Sequence, residues 1–210
     1  MRLIESCHEG NDFYTRESMA KQKKDESEYI HADFPAKWIK APIDEKLKNE
    51  DFRKILDFFV IHTPCEELSA RAKTLNSYQW ENTYPLKKGM RVVPLKDSIF
   101  SFGEKWEEMK DCLAEVNLQK NFPSALEIER GCLYKKSKQN QLDCIFYHIR
   151  NCFAHGRFNI SENNGDWTFV LEDWGTKNRV SARMILKKST LLKWIEIIKG
   201  GEKNLTELTT

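Results

Sequence analysis

The sequence predicts a mainly α-helical fold: a helical bundle with a small antiparallel β meander inserted before the last helix. Three observations support this prediction. Apolar residues recur at three- and four-residue steps through much of residues 52–155, which is the period of a helix. After Gly156, β-branched and aromatic residues dominate three short segments that turn signals separate. A last segment with helical period begins near Ser189 and ends at Gly200.

The composition indicates a globular protein with little excess charge. Of the 210 residues, 40% are hydrophobic and 11% are aromatic, which argues against disorder. The formal net charge is only +2, whereas proteins that bind long duplexes through their overall field usually carry a larger basic excess. No apolar run approaches the roughly 20 residues of a membrane-spanning helix, and the N-terminus lacks a signal-peptide pattern. We therefore expect a cytoplasmic protein without membrane association, in which any nucleic-acid contact is local.

The six cysteines are scattered, and no Cys-x-x-Cys pair occurs among them. In a reducing compartment such cysteines usually pack as small hydrophobic side chains. His62 and Cys65 could join Cys7 and His8 in a zinc site, but their spacing matches no known ligand pattern. The sequence therefore predicts core cysteines, no metal and no cofactor.

The chain divides into four stretches along its length. Residues 1–50 form a polar N-terminal segment for which the sequence predicts no definite structure. Residues 51–94 are expected to be a helical N-terminal extension packed on the bundle. Residues 95–200 form the main helical domain, with the β meander at 157–186. Residues 201–210 are expected to be a frayed tail.

Two short helices are predicted in the first half of the chain. Apolar spacing from Phe52 onward favours the first helix. Thr63 followed by Pro64 is typical of a helix start, so the second helix is expected to run to about Leu75. A tight helix pair is also typical of a helix-turn-helix, which leaves a DNA-binding regulator as an alternative. The stretch 76–94 contains glycine and proline and is predicted to be a connection.

Three helices, three strands and a last helix are predicted in the second half. A long helix is expected over about 96–118, another over 125–136, and a third, strongly apolar on one face, over 141–155. The meander strands are predicted at residues 157–160, 167–171 and 180–186.

The end of the 141–155 helix carries the candidate catalytic residues Arg150, Asn151 and His155. Residues five apart in an α-helix differ by about 140° and about 7.5 Å of rise, so Arg150 and His155 do not share a face of an unbroken helix. Gly156 offers a solution, because it can take a left-handed conformation and end the helix there. We therefore expect His155 to lie at the helix end, from where it can turn towards the side of Arg150.

These residue types suit RNA cleavage without a metal. A histidine can take the proton of a ribose 2′-hydroxyl, which then attacks the adjacent phosphate, and an arginine can hold that phosphate. Asn151 can orient either partner. No acidic cluster flanks the motif, so a two-metal nuclease is poorly supported. Arg157 and His148 are possible RNA contacts, although Arg157 is also expected as a solvated charge that begins a strand, and His148 as a side chain covering the bundle surface.

The segment Ile149-Arg150-Asn151-Cys152-Phe153-Ala154-His155-Gly156 resembles the signature of HEPN domains, in which an arginine and a polar residue precede a histidine. The resemblance covers about Leu95 to Ile198, and the meander resembles a small bacterial HEPN subgroup. It implies a HEPN-like helical bundle and a metal-independent endoribonuclease, in a toxin or antiviral-defence role, acting at a homodimer cleft. It also implies an RNA substrate and an antitoxin or sensor protein as a further partner. By this resemblance Arg150 binds phosphate, Asn151 assists and His155 is the base.

Two considerations limit what the resemblance implies. HEPN toxins paired with a nucleotidyltransferase antitoxin often carry Tyr two residues after the histidine, whereas this chain has Arg157, so regulation by modification of such a tyrosine is not supported. An arginine and a histidine at this spacing can also serve as an ion-pair partner and a helix cap. A non-catalytic HEPN-type module that binds RNA or a protein is therefore the alternative to the enzyme.

Overall fold

A five-stranded mixed sheet forms the centre of the protein, which a computed structural model describes over residues 43–65, 73–92, 99–119, 128–163 and 165–204. The helices and strands in chain order are α1 (Ile43–Lys46), α2 (Glu50–Leu56), α3 (Thr83–Val92), β1 (Ile99–Gly103), α4 (Met109–Glu115), β2 (Arg130–Tyr134), α5 (Gln141–Ala154), β3 (Phe158–Asn163), β4 (Asp166–Trp174), β5 (Val180–Lys187) and α6 (Lys188–Gly200). Helix α2 continues into a π-helical segment, Asp57–His62. The described chain also contains short 3₁₀ turns at Asn76–Tyr78, Thr176–Asn178 and Glu202–Asn204.

The strands lie in the order β1-β2-β5-β4-β3. β1 and β2 are parallel, with Phe100 opposite Gly131, and all other neighbours are antiparallel. Parallel strands need a crossover connection, and the chain between β1 and β2 contains α4. β5 therefore joins the parallel pair to the antiparallel β3-β4 hairpin.

The predicted fold class, a mainly helical bundle with a small meander, is wrong in its sheet content. The three meander strands are present, but they belong to a mixed sheet that β1 and β2 extend. The segments 96–118 and 125–136, predicted as helices, contain these two strands. In β2 the consecutive residues Gly131, Cys132 and Leu133 are all buried, and a short buried run cannot be told from a helix by periodicity. The apolar residues of β1 and α4 together have three- and four-residue steps, so the sequence pattern of the two elements resembles that of one long helix.

Two further predictions on the N-terminal side have different outcomes. The stretch 76–94, predicted as a connection, contains a 3₁₀ turn and the helix α3. The predicted helix from Pro64 to about Leu75 lies largely outside the described residues. The same is true of most of the polar segment, residues 1–42, and of the tail residues 205–210.

The helices α5 and α6 confirm two of the predicted helices, and α5 carries the candidate site residues. α5 begins because the side chain of Asn140 accepts a hydrogen bond from the Asp143 amide at 3.0 Å, a standard N-cap. α6 ends at Gly200, and the next residue, Gly201, has a φ of 71° that only glycine adopts there without strain. Within the described ranges no helix is long and apolar enough to cross a membrane.

Apolar packing fixes α5 on one face of the sheet. Phe146 and Phe153 of α5 are buried in the main core together with Phe169 of β4 and Trp194 of α6. A second, smaller cluster joins α4 to the opposite face through Leu113 and other side chains. Neighbouring residues of β2 and β5 alternate between the two clusters, as the pleat of a sheet requires. The face of α5 that meets the sheet is thus buried in the core, while the stripe with Tyr147, Arg150 and Ala154 lies outside it.

Candidate functional site

A Schellman motif ends α5 and sets the position of His155. The Arg157 amide donates to the Cys152 carbonyl at 2.7 Å and the Gly156 amide donates to the Phe153 carbonyl at 3.2 Å. Gly156 lies at φ +65°, the left-handed conformation that this motif needs. The prediction that Gly156 stops the helix is confirmed. His155 is the C-cap residue, and it is exposed.

Arg150 and Asn151 are brought together by a direct hydrogen bond. Arg150 Nη1 donates to Asn151 Oδ1 at 3.2 Å, and Asn151 Nδ2 donates to Asp173 Oδ2 at 3.2 Å. The two bonds agree on the orientation of the amide, because its oxygen meets a cation and its nitrogen meets a carboxylate. Asn151 is buried and Arg150 is half-buried. The guanidinium is thus tied, through Asn151, to a residue at the end of β4.

Asp173 is the buried centre of this polar network. Its Oδ2 lies 2.8 Å from His148 Nδ1, and its Oδ1 accepts from Arg157 Nη1 at 3.1 Å and from the Trp174 amide at 3.0 Å. Burial on its own raises the pKa of Asp173, but the bonds from His148 and Asn151 and the charge of Arg157 outweigh it and lower the pKa. Asp173 is therefore held ionised among donors.

His148 lies in the interior, so the interpretation that it covers the bundle surface is wrong. Its Nδ1 faces Asp173, and its Nε2 lies 2.9 Å from the Tyr134 carbonyl oxygen. Carboxylate and carbonyl oxygens are both acceptors, so each ring nitrogen of His148 faces an acceptor in the interior. The reason for the error is that the partner carboxylate comes from a strand 25 residues further along the chain. The geometry fits a residue that positions Asp173 better than one that touches RNA.

Arg157, the residue before β3, is the last member of the network around Asp173. Its guanidinium lies over the indole of Trp174, 3.8 Å from the ring centroid, and Nη1 also donates to the Trp174 carbonyl at 3.2 Å. The side chain is 22% exposed, so one edge remains at the surface. Its ion pair with a buried carboxylate gives it a structural task beyond that of a solvated charge. A direct RNA contact by Arg157 stays a prediction.

The structure assembles most of the predicted residues, but it adds one that sequence reasoning missed. Asn151, His148 and Arg157 all contact Asp173, and Arg150 joins them through Asn151. Over the described residues, His155 meets this network through its backbone, since its amide donates to the Asn151 carbonyl at 3.0 Å. The sequence signal that could have indicated Asp173 is the acidic pair Glu172-Asp173, which follows the apolar residues of the predicted strand 167–171.

Three of the five cysteines in the described part of the chain lie in the interior, as predicted. Cys132, Cys144 and Cys152 are buried, and Cys65 and Cys112 are half-buried. Burial raises the pKa of the Cys144 thiol to about 12, which removes its nucleophilic character at neutral pH. Across the same described ranges, no three His, Cys, Asp or Glu side chains are grouped so that they could hold a metal ion.

The arginine, asparagine and histidine at the end of α5, followed by the glycine that ends the helix, resemble the signature of HEPN domains. A comparison with family models shows that the chain belongs to this class. The match is to the family described as HEPN pEK499 p136, and it covers residues 19–199, which include the whole sheet and the site. Comparisons with curated proteins and with solved structures gave no match.

Proposed function

We propose that the protein is a metal-independent endoribonuclease of HEPN type that acts as a toxin or phage-defence effector. The observation that carries the proposal is the end of α5. There the exposed His155 follows one turn after Asn151, which binds the half-buried Arg150 and is itself held by Asp173. HEPN domains are commonly ribonucleases, and membership of this family adds support.

The chemistry requires one proton acceptor and one cation. His155 takes the proton of a ribose 2′-hydroxyl, and the freed oxygen forms a bond to the adjacent phosphorus. The bond from phosphorus to the 5′-oxygen breaks, and that oxygen takes up a proton. The products are a 2′,3′-cyclic phosphate and a 5′-hydroxyl. Arg150 stabilises the negative charge that grows on the phosphate oxygens during the step.

Asn151 and Asp173 have a positioning task in this proposal. Arg150 must present its guanidinium in a fixed orientation, because a misplaced charge loses most of its value in the transition state. The Asn151 amide supplies one fixed contact, and Asp173 prevents that amide from rotating. A two-fold homodimer would bring a second histidine into the same cleft to protonate the leaving 5′-oxygen. An antitoxin or sensor protein would then control access to that cleft.

The proposal is tested by cleavage of total RNA with purified variants. His155→Ala and Arg150→Ala should each lower the cleavage rate by about a hundredfold or more, the usual worth of an acid–base group or a charge-stabilising group. Arg53→Ala, on the exposed face of α2, serves as the matched control and should cleave normally. Circular dichroism and size-exclusion chromatography check that the variants keep their fold and oligomeric state.

Undiminished cleavage by both active-site variants would refute the proposal. RNA binding without product from the wild type would favour the non-catalytic HEPN module.

A further inference from the structure

A cleft of about 540 Å³ lies beside the first half of α5, a size that suits a nucleotide-sized ligand. One wall is formed by the turn after β2 and by α5, and the described residues of the other are Pro64, Cys65 and Thr74 to Asn76. The site residues described above do not line it. Its lining includes Lys136, Lys138 and Tyr147.

The side chains of the cleft combine positive charge with an aromatic ring. Lys136 and Lys138 are exposed, and Asp143 is the one acidic residue among the described lining residues. Lys136 Nζ lies 5.4 Å from the centroid of the Tyr147 ring, so a cation already sits over a face of that ring. Aromatic rings that stack bases, interleaved with lysines that contact phosphates, are how proteins bind single-stranded nucleic acid.

Helix α5 leads from the cleft, whose lining includes Tyr147, to the motif at its C-terminal end. Tyr147 and Arg150 are three residues apart, so they are neighbours on one face of the helix, with Cβ atoms about 5–6 Å apart. Ala154 follows four residues after Arg150 on the same stripe, and it is exposed and small. His155 comes next. A strand that leaves the cleft can therefore follow this stripe past Arg150 and over Ala154 to His155.

We propose that this cleft binds the nucleotide next to the scissile phosphate of a single-stranded RNA, with its base stacked on Tyr147 and its phosphate near Lys136 and Lys138. The inference rests on the proposed function, because that function places the scissile phosphate at Arg150 and His155. It adds a nucleotide subsite beside the cleavage site and a set of residues that decide how tightly the substrate binds.

The test measures RNA binding in a background in which cleavage is blocked. His155→Ala protein is titrated into a short fluorescently labelled single-stranded RNA, and binding is followed by fluorescence anisotropy. Adding Tyr147→Ala should weaken binding by about fivefold or more, the lower end of what base stacking contributes. Adding Tyr147→Phe should leave binding near that of the parent, because the ring is kept. Replacing both Lys136 and Lys138 by Ala should weaken binding and flatten its dependence on salt.

Lys110→Ala is the matched control, since Lys110 is exposed on α4, which packs on the opposite face of the sheet. It should bind as the parent does. Because Lys136 and Lys138 are exposed, the double lysine variant tests the cleft even if Tyr147→Ala does not fold. The inference is overturned if the folded cleft variants bind RNA as tightly as the parent, or if the parent binds no single-stranded RNA.

Failure of this inference and failure of the proposed function give different results. If the wild type cleaves RNA and Tyr147→Ala leaves KM unchanged, the cleft is not a substrate site and the ribonuclease proposal stands. If the wild type yields no product but RNA binding still depends on Tyr147 and the two lysines, the cleft binds RNA and the ribonuclease proposal fails.

Discussion

At the scale of single residues, the site depends on a carboxylate that the motif itself does not contain. Asp173 is buried, and three donors from two other segments of the chain point at it: His148, Asn151 and Arg157. Burying a charge costs folding free energy unless hydrogen-bond donors surround it. Burying those donors also costs free energy once the charge that accepts from them is removed. The polar end of α5 is therefore fixed to the sheet by a network whose members depend on one another.

Asp173→Asn should destabilise the fold by about 3–5 kcal/mol, the usual cost of removing one partner from a buried ion pair. The substitution keeps the shape of the side chain but leaves His148 and Arg157 without a charged acceptor. Urea unfolding at neutral pH measures the change in the free energy of unfolding. Asp111→Asn, on the exposed face of α4, is the control and should be near neutral. Equal stability of Asp173→Asn and wild type would show that the network is absent in solution.

The pH dependence of this effect follows from the lowered pKa of Asp173. A carboxyl group whose pKa is lower in the folded chain than in the unfolded chain stabilises the fold above its unfolded value, about 3.9 for Asp. That contribution is lost as the pH falls through the lower folded value. The stability difference between wild type and Asp173→Asn should thus narrow as the pH falls below about 4. Unfolding curves across this range measure it, and a difference that persists unchanged into strong acid would contradict the assignment.

At the scale of elements, the sequence was most informative where a cap or a helix stop is encoded locally. Asn140 begins α5 and Gly156 ends it, both through contacts within a few residues, so this helix could be predicted from the pattern alone. The predicted site residues Arg150, Asn151 and His155 came with it. Asp173 could not be predicted in the same way, because its partners lie 16 to 25 residues away along the chain and meet it only in the folded sheet.

β1 and β2 are the elements that the pattern concealed. Their pairing is parallel and their contacts are distant in sequence, so no hairpin turn signal in the sequence predicts them. β2 is also short and central, with neighbours on both sides. Its run of small and apolar residues around Gly131 reads equally well as a buried helix, and only the tertiary context decides between the two.

Gly131→Ala distinguishes the strand from the helix by the sign of its effect. In β2 the new Cβ would lie 2.6 Å from Phe100 Cε1 and 3.1 Å from Met184 Cγ, so the overpacking should cost about 1–3 kcal/mol. In a helix the same change would stabilise the protein by up to about 1 kcal/mol. Thermal unfolding of Gly131→Ala measures the sign, with Ser137→Ala in the exposed turn after β2 as a control. A raised midpoint for Gly131→Ala would contradict the sheet.

At the scale of the whole molecule, the sheet presents the end of α5 at the surface. The main core holds one face of this helix through Phe146 and Phe153, while a neighbouring stripe outside the core carries Tyr147, Arg150 and Ala154. One subunit thus offers a positioned cation and an exposed histidine, and the proposed two-fold dimer turns two such surfaces into one cleft. Neither composition nor net charge could have predicted this arrangement, because the basic groups that matter are few and local.

The most direct test of the central claim is an analysis of the RNA ends produced by the wild-type protein in the presence of EDTA. If His155 activates a ribose 2′-hydroxyl and Arg150 stabilises the phosphate, cleavage should continue without divalent ions. It should leave 2′,3′-cyclic phosphate and 5′-hydroxyl ends, and His155→Ala should form these ends more slowly, by about a hundredfold or more. Cleavage that stops in EDTA, or products that carry 5′-phosphate ends, would contradict the account.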